Sequence, residues 1–373
     1  MAGMRSLLAA ALGLVAAVTP TASSALRTET LYTRPGGTIA AFAQDGPLIS
    51  WFAPREPRCN RVHVLSLLNP LKAALPLQGG ARNVTCLWQT TQPVWLALAG
   101  GTSQVLWTLR EDSPLPFDYL VGAGAGDRRD RTERRYQEIA HTKRGAGLWL
   151  GGVAGDRATL VYGLTSVDYE DEAGCLAGTG SCAMQKAGGG VYRVIGRQTP
   201  KLIEGTDAAV AVAASGSTVA YVPAATVAKD GRPSAGGDLP IEVVEAGTGA
   251  SVAHIQPEGT PLAIALSPHV LTTLERTPLG LRLAWYDTAT GRAAGSVPLP
   301  DAASPEVSAT DRVAVYRVGR NVHAVDLATG QVTLLVKTAA KPIGLSLEGG
   351  RLAWAENLKS GARIRALYLS GHR

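Results

Sequence analysis

Four cysteines carry the most definite chemistry in this chain: Cys59, Cys86, Cys175 and Cys182. An even number suits two disulfides in an oxidising compartment. Cys175 and Cys182 stand seven apart in a glycine-rich stretch. That spacing closes a small loop and does not match the Cys-x-x-Cys of an oxidoreductase. A Cys59–Cys86 bridge is feasible as the second, because both fall on the same side of the repeat described below. No histidine stands at zinc-ligand spacing from any of the four. Asp168, Glu170, Asp171 and Glu172 precede Cys175. Clustered carboxylates with loop carbonyls can hold Ca²⁺, but the spacing of an EF-hand loop is missing. These four acids read as a solvated loop; Ca²⁺ is the one cofactor they suggest, and no other is expected.

A second cluster is basic. Arg128, Arg129, Arg131, Arg134 and Arg135 alternate with Asp127, Asp130 and Glu133. Guanidinium groups grip phosphate or carboxylate in a fork, so this is a candidate anion patch. The interleaved acids point first to a self-paired, solvated loop. The histidines form no spaced pair that would suggest a metal site. His63 and His323 fall at matching places in the repeat described below, which suggests packing. No Gly-x-Ser-x-Gly elbow is present. The glycine runs 122–126 and 188–190 do not join a strand to a helix, so they are not phosphate loops. No residue is therefore assigned to catalysis.

The elements that must position these residues begin with a leader. Arg5, an apolar run from Ser6 to Val18, Thr19-Pro20 and the small residues Ala22 to Ala25 form the pattern of a secretory signal peptide over residues 1–25. The expected location is secreted or cell-envelope, which disfavours nucleic acid as a partner. No later stretch reaches the length of a spanning helix, so the mature chain is expected to carry no transmembrane segment. The net charge of +6, with only 18% charged residues and no long single-sign block, points to solubility first and to anionic cell-wall polymers or lipid headgroups as the alternative; a monomer is expected.

The rest of the chain repeats. Asp287-Thr288-Ala289-Thr290-Gly291 recurs as Asp326-Leu327-Ala328-Thr329-Gly330, with a looser copy at Glu245-Ala246-Gly247-Thr248-Gly249. A second series of tight turns stands at Asp45-Gly46, Gly100-Gly101, Gly155-Asp156, Ser215-Gly216, Pro268-His269, Thr310-Asp311 and Gly349-Gly350. An aromatic follows most of these: Trp51, Trp107, Tyr162, Tyr221, Tyr316 and Trp354. The Pro268 copy lacks one. Glycine, asparagine and aspartate suit turns whose central residues need positive φ. Four short strands per unit at a period near forty describe β-propeller blades. No convincing amphipathic helix stands out.

The expectation is an all-β fold: a single seven-bladed β-propeller of four-stranded antiparallel blades over residues 26–373. The orphan strand Glu29 to Thr33 would complete the last blade and lock the ring. In this the chain resembles the bacterial secreted β-propellers of the TolB-like and WD40-like kind, at the level of architecture. The Asp-x-Ala-Thr-Gly turns and the turn-aromatic hairpins carry that resemblance.

With strands lettered A to D from the centre outward, A–B and C–D turns share one side of the ring, and B–C and D–A loops share the other. The long excursions at 53–59, 166–189 and 223–239 are B–C loops. Insertions gathered on one side mark a binding face. The expected function is a non-catalytic, exported propeller that binds a protein or cell-envelope polymer through the B–C and D–A face. The alternative is a propeller enzyme, such as a lyase, lactonase or quinone-dependent dehydrogenase, with its site at the central channel mouth. Fold alone does not decide between them.

Overall fold

The structure, a computed structural model, describes residues 28–55, 60–67, 81–85, 95–99, 102–111, 117–125, 137–141, 147–157, 159–195, 200–229, 231–237 and 239–369. The leader at 1–25, Cys59, Cys86 and the arginine cluster at 128–135 lie outside these residues.

The described strands form seven antiparallel sheets. Their first strands, A, are Ala41–Asp45, Trp95–Ala99, Gly147–Asp156, Ala209–Ser215, Thr260–Leu266, Ala303–Ala309 and Ile343–Glu348. Each A strand touches the A strand of the next blade, and the seventh touches the first. The A strands therefore line a central channel, and the sheets radiate from it. The N-terminal strand Thr28–Pro35 pairs antiparallel with Gly361–Tyr368 at the outer edge of the seventh sheet, with Thr28 opposite Leu367 and Pro35 opposite Gly361.

The apolar pattern explains why the sheets stack. Alternate residues of every strand face one neighbouring blade or the other, and each blade interface holds its own apolar cluster. Phe42, Ile49 and Trp51 of the first blade pack with Ala353, Ala355 and Ile364 of the seventh. Ile241, Val243 and Ile255 of the fourth pack with Ile264, Leu271 and Tyr286 of the fifth. The turn-following aromatics are central to this packing. Trp51, Tyr162, Tyr221, Tyr316 and Trp354 are all buried, and each such side chain contributes about 1.5–3 kcal/mol by leaving water. Small residues allow the A strands to converge. A Cβ on Gly155 would collide with the carbonyl oxygen of Leu98 on the preceding blade.

The motif turns use their side chains. Asp326 Oδ1 accepts hydrogen bonds from the N–H groups of Ala328 and Thr329 and from the Thr329 hydroxyl. Asp287 does the same for Thr290, and Glu245 for Gly247 and Thr248. The closing glycines Gly249, Gly291 and Gly330 all have φ near +70° (75°, 69° and 71°), a conformation that glycine alone adopts without strain.

Two expectations need correction. The blades are not uniformly four-stranded: in the fourth, Pro233–Ala235 adds a strand against Thr218–Val227. The excursions at 166–189 and 223–239 are not loops but extended hairpins. In the third blade, strand B (Thr159–Tyr169) and strand C (Met184–Arg193) stay paired out to Tyr169 and Met184. A six-residue helix, α1 (Glu172–Ala177), caps the tip. The physical reason is shared: backbone donors and acceptors carried beyond the ring still need partners, and continued pairing supplies them.

Candidate functional site

The B–C side carries a crest built from these two hairpins. Asp171 caps α1, its carboxylate accepting from the Gly174 N–H at 2.8 Å. Gly178 ends the helix in the left-handed conformation. The N–H groups of Thr179 and Gly180 both return to the carbonyl of Gly174. Cys175 and Cys182 are joined by a disulfide with Cα atoms 4.8 Å apart. The hairpins of the third and fourth blades meet at Met184 and Gly231. Lys186 bridges them, donating to Asp207 at 2.8 Å and to the Ala224 carbonyl at 3.2 Å. Arg232 lies over the Trp149 ring, 5.8 Å from its centroid.

The acidic residues before Cys175 have structural partners of their own. Asp168 accepts from the Tyr169 N–H, and Asp171 serves as the helix cap. Glu170, Asp171 and Glu172 are exposed. Among the described residues, the one trio of carboxylate, histidine or cysteine ligand atoms close enough to share a cation lies elsewhere.

That trio is Asp45, Asp156 and Glu348, whose carboxylate oxygens lie within 4.8 Å of one another. They sit at the A–B turns of the first, third and seventh blades, where the channel opens. A cavity of about 460 Å³ lies there, lined by residues from every A strand. Small apolar side chains such as Ala97, Ala213 and Ala265 form its wall, and Asp156, Asp311, Glu348 and Arg157 approach its rim. Burial, then the charges of Asp156 and Asp45, push the Glu348 carboxyl above its ordinary range; Arg351 and Arg157 oppose the shift.

These acids also join blades. Asp45 accepts the Arg157 N–H at 2.9 Å, and Asp156 accepts the Gly216 N–H at 2.5 Å. Asp311 accepts both the Ser267 hydroxyl and the His269 N–H. Charge converges on the A–B side, opposite the side that carries the long B–C excursions. In the sequence Asp45, Asp156 and Asp311 read as turn formers. Aspartate is an ordinary turn residue, so no local signal in the sequence sets these acids apart.

Two of the histidines, His63 and His323, sit in packing positions. His63 stacks on Trp51 with ring centroids 4.7 Å apart, and His323 stacks on Tyr316 at 5.2 Å. A third blade repeats the geometry with Tyr162 on Tyr192 at 5.2 Å. Burial holds the His323 imidazole below its usual value.

No family model and no curated protein matches this chain. Solved structures similar to it include a β-propeller domain of Myceliophteria thermophila Cps50 (Swd1), at 12% identity and a TM-score of 0.49 over 92% of this chain and 100% of that one. BamB from Moraxella catarrhalis is similar at 12% identity, with a TM-score of 0.43 over 89% and 86% of the two chains. The computationally designed Ika8 protein is similar at 13% identity, with a TM-score of 0.45 over 89% and 83%. No helix among the described residues is long and apolar enough to cross a membrane. It is the closed ring of radiating antiparallel sheets that makes the chain a β-propeller.

Proposed function

We propose that this chain is a non-catalytic, exported propeller that binds a protein or cell-envelope partner through its B–C face. The crest is the observation that supports this most directly. Two neighbouring hairpins extend beyond the ring on one side, touch each other, and have a disulfide at the tip of one. A ring needs no such extension for its own stability, and ordered projections on a rigid scaffold are where recognition concentrates.

The test is a pull-down from the envelope fraction of the source organism with the leaderless chain as bait. A second bait replaces residues 170–183 by a two-residue Asn-Gly turn, and a third carries Asp311→Asn on the opposite side. Partners captured by the parent and by the Asp311 variant, but lost with the trimmed crest, support the reading. Capture that is indifferent to the crest overturns it.

A second reading has one observation in its favour. Converging carboxylates at a channel mouth can hold a divalent cation or serve as acid and base. The Asp45, Asp156 and Glu348 trio would then be the centre of an enzyme. Two of the three acids already accept blade-to-blade hydrogen bonds, which gives them a scaffold role. Calorimetric titration with Ca²⁺ and Mg²⁺, on the parent and on Glu348→Gln, separates the readings: saturable heat lost in the variant favours the second.

A further inference from the structure

We infer that the Cys175–Cys182 disulfide is a redox-sensitive latch that sets the shape of the crest tip without acting on the ring. No residue from 168 to 190 belongs to any of the apolar clusters among the described residues. Among the described side chains, the tip therefore has no apolar core of its own. A six-residue helix is far below the length at which an isolated helix persists in water. What remains is one cap, a few turn hydrogen bonds around Gly174, and the disulfide. Cys182 is exposed and Cys175 is half-buried, so the bond is open to a thiolate.

The base of the tip is anchored differently. Tyr169 pairs with Met184, the Glu170 N–H donates to the Ala183 carbonyl, and Met184 packs at Gly231. These contacts do not depend on the sulfur bond. Reduction by a dithiol breaks the S–S bond and delivers two electrons and two protons to the chain. It leaves two thiols there and closes the reductant's own disulfide. Local opening should then stop at the base of the hairpin.

This inference does not require that the crest bind anything. Its test is amide hydrogen exchange on the full chain, resolved by peptide. The parent in non-reducing buffer is compared with the Cys175→Ser, Cys182→Ser double variant in the same buffer, which leaves Cys59 and Cys86 untouched. Amides of 171–182 should exchange on the order of tenfold faster or more in the variant, the scale expected from losing closure of so short a loop. Amides of 184–193 and the melting temperature should hold. A parent treated with dithiol and reoxidised should regain slow exchange over 171–182. Unchanged exchange in the variant would show that hydrogen bonds alone hold the tip. A large fall in melting temperature would make the disulfide a support of the ring. A failure to regain slow exchange would deny reversibility. Each of these outcomes overturns the latch.

Discussion

The carboxylate of Asp45 accepts a hydrogen bond from the backbone N–H of Arg157, 112 positions away, and so links the A–B turns of the first and third blades at the channel mouth. Glu348 of the seventh blade lies within 4.8 Å of the same cluster. Three like charges then share a half-buried space, and the last of them is disfavoured in its ionised form.

This sets the sign of a pH effect. Glu348 has a carboxyl raised in the folded state by burial and by Asp156 and Asp45. A raised acid binds its proton more tightly when folded, so its contribution is favourable at low pH. That contribution declines as pH climbs through the ordinary carboxylate range toward the folded value. Glu348→Gln should therefore stabilise the protein at pH 7 by about 0.5–1 kcal/mol, a figure discounted for solvent screening, and do nothing near pH 3. Thermal melts of parent and variant at the two pH values check this. Equal shifts at both would remove the electrostatic cause.

The motif turns predict the opposite sign. Asp326 and Asp287 are held below the usual carboxylate range, chiefly by the hydroxyl and N–H of Thr329 and Thr290 respectively. A depressed acid contributes above its unfolded value and loses that contribution as pH falls. Asp326→Ala should lower the melting temperature at pH 7, and the difference should narrow on acidification. In the same motif, Gly291 has φ of 69°, and a Cβ there would lie 2.7 Å from the His254 carbonyl oxygen. Gly291→Ala should cost about 1–2 kcal/mol for the left-handed conformation, and more where the preceding blade cannot yield. Urea titration with an unchanged slope would confirm a pure stability effect.

The fifth and seventh blades show how far the sequence could be read. The turn-following aromatic is present as Trp354 in the seventh blade and absent from the fifth, where Thr273 takes its place. The gap was visible in the sequence, but its remedy was not. Glu275 is fully buried and accepts from Thr273 and Tyr286, and Arg282 pairs with it. In the seventh blade, Glu356 accepts from Trp354 Nε1 and pairs with Arg363 at the same register. Periodic turns and apolar alternation are local and appear in one dimension. A buried ion pair seven residues apart looks like any surface pair until the strands are placed. The rim acids were hidden for the same reason: Asp45, Asp156 and Glu348 are distant in sequence, and only ring closure brings them together. The crest was legible as an interruption of the repeat, but not as continued strand, because Gly188, Gly189 and Gly190 read as loop.

That buried pair gives a sharper test. Glu356 is 1% exposed, and its carboxylate faces Trp354 Nε1 at 2.9 Å and Arg363 Nη2 at 2.7 Å. Arg363→Met leaves a charge without its main partner in a poorly solvated place. The loss should be about 2–3 kcal/mol, below the fully buried range because Arg363 keeps a quarter of its side chain in solvent. Replacing both residues, Glu356→Gln with Arg363→Met, should recover part of that loss, because the amide oxygen still accepts from Trp354 Nε1 and no buried charge remains. Denaturant midpoints for the single and double variants measure the coupling. A double variant as unstable as the single would mean that packing, not the unpaired charge, sets the cost.

His323 closes the set because chemistry and packing predict different outcomes for it. Stacked on Tyr316 and depressed by burial, it is favoured neutral in the folded state. Its contribution is present above the unfolded imidazole value near 6.5 and lost as pH falls through it. Proton-resolved titration should place His323 below 6.5. His323→Phe preserves a ring against Tyr316 and removes the titrating group, so its stability should fall less between pH 7 and pH 5 than that of the parent. A residue serving as a ligand would instead lose binding of the partner or metal on the same substitution. A variant that keeps its melting temperature at pH 7, captures the same partners and flattens the acid limb assigns His323 to blade packing. A parallel acid limb would place the titrating group elsewhere.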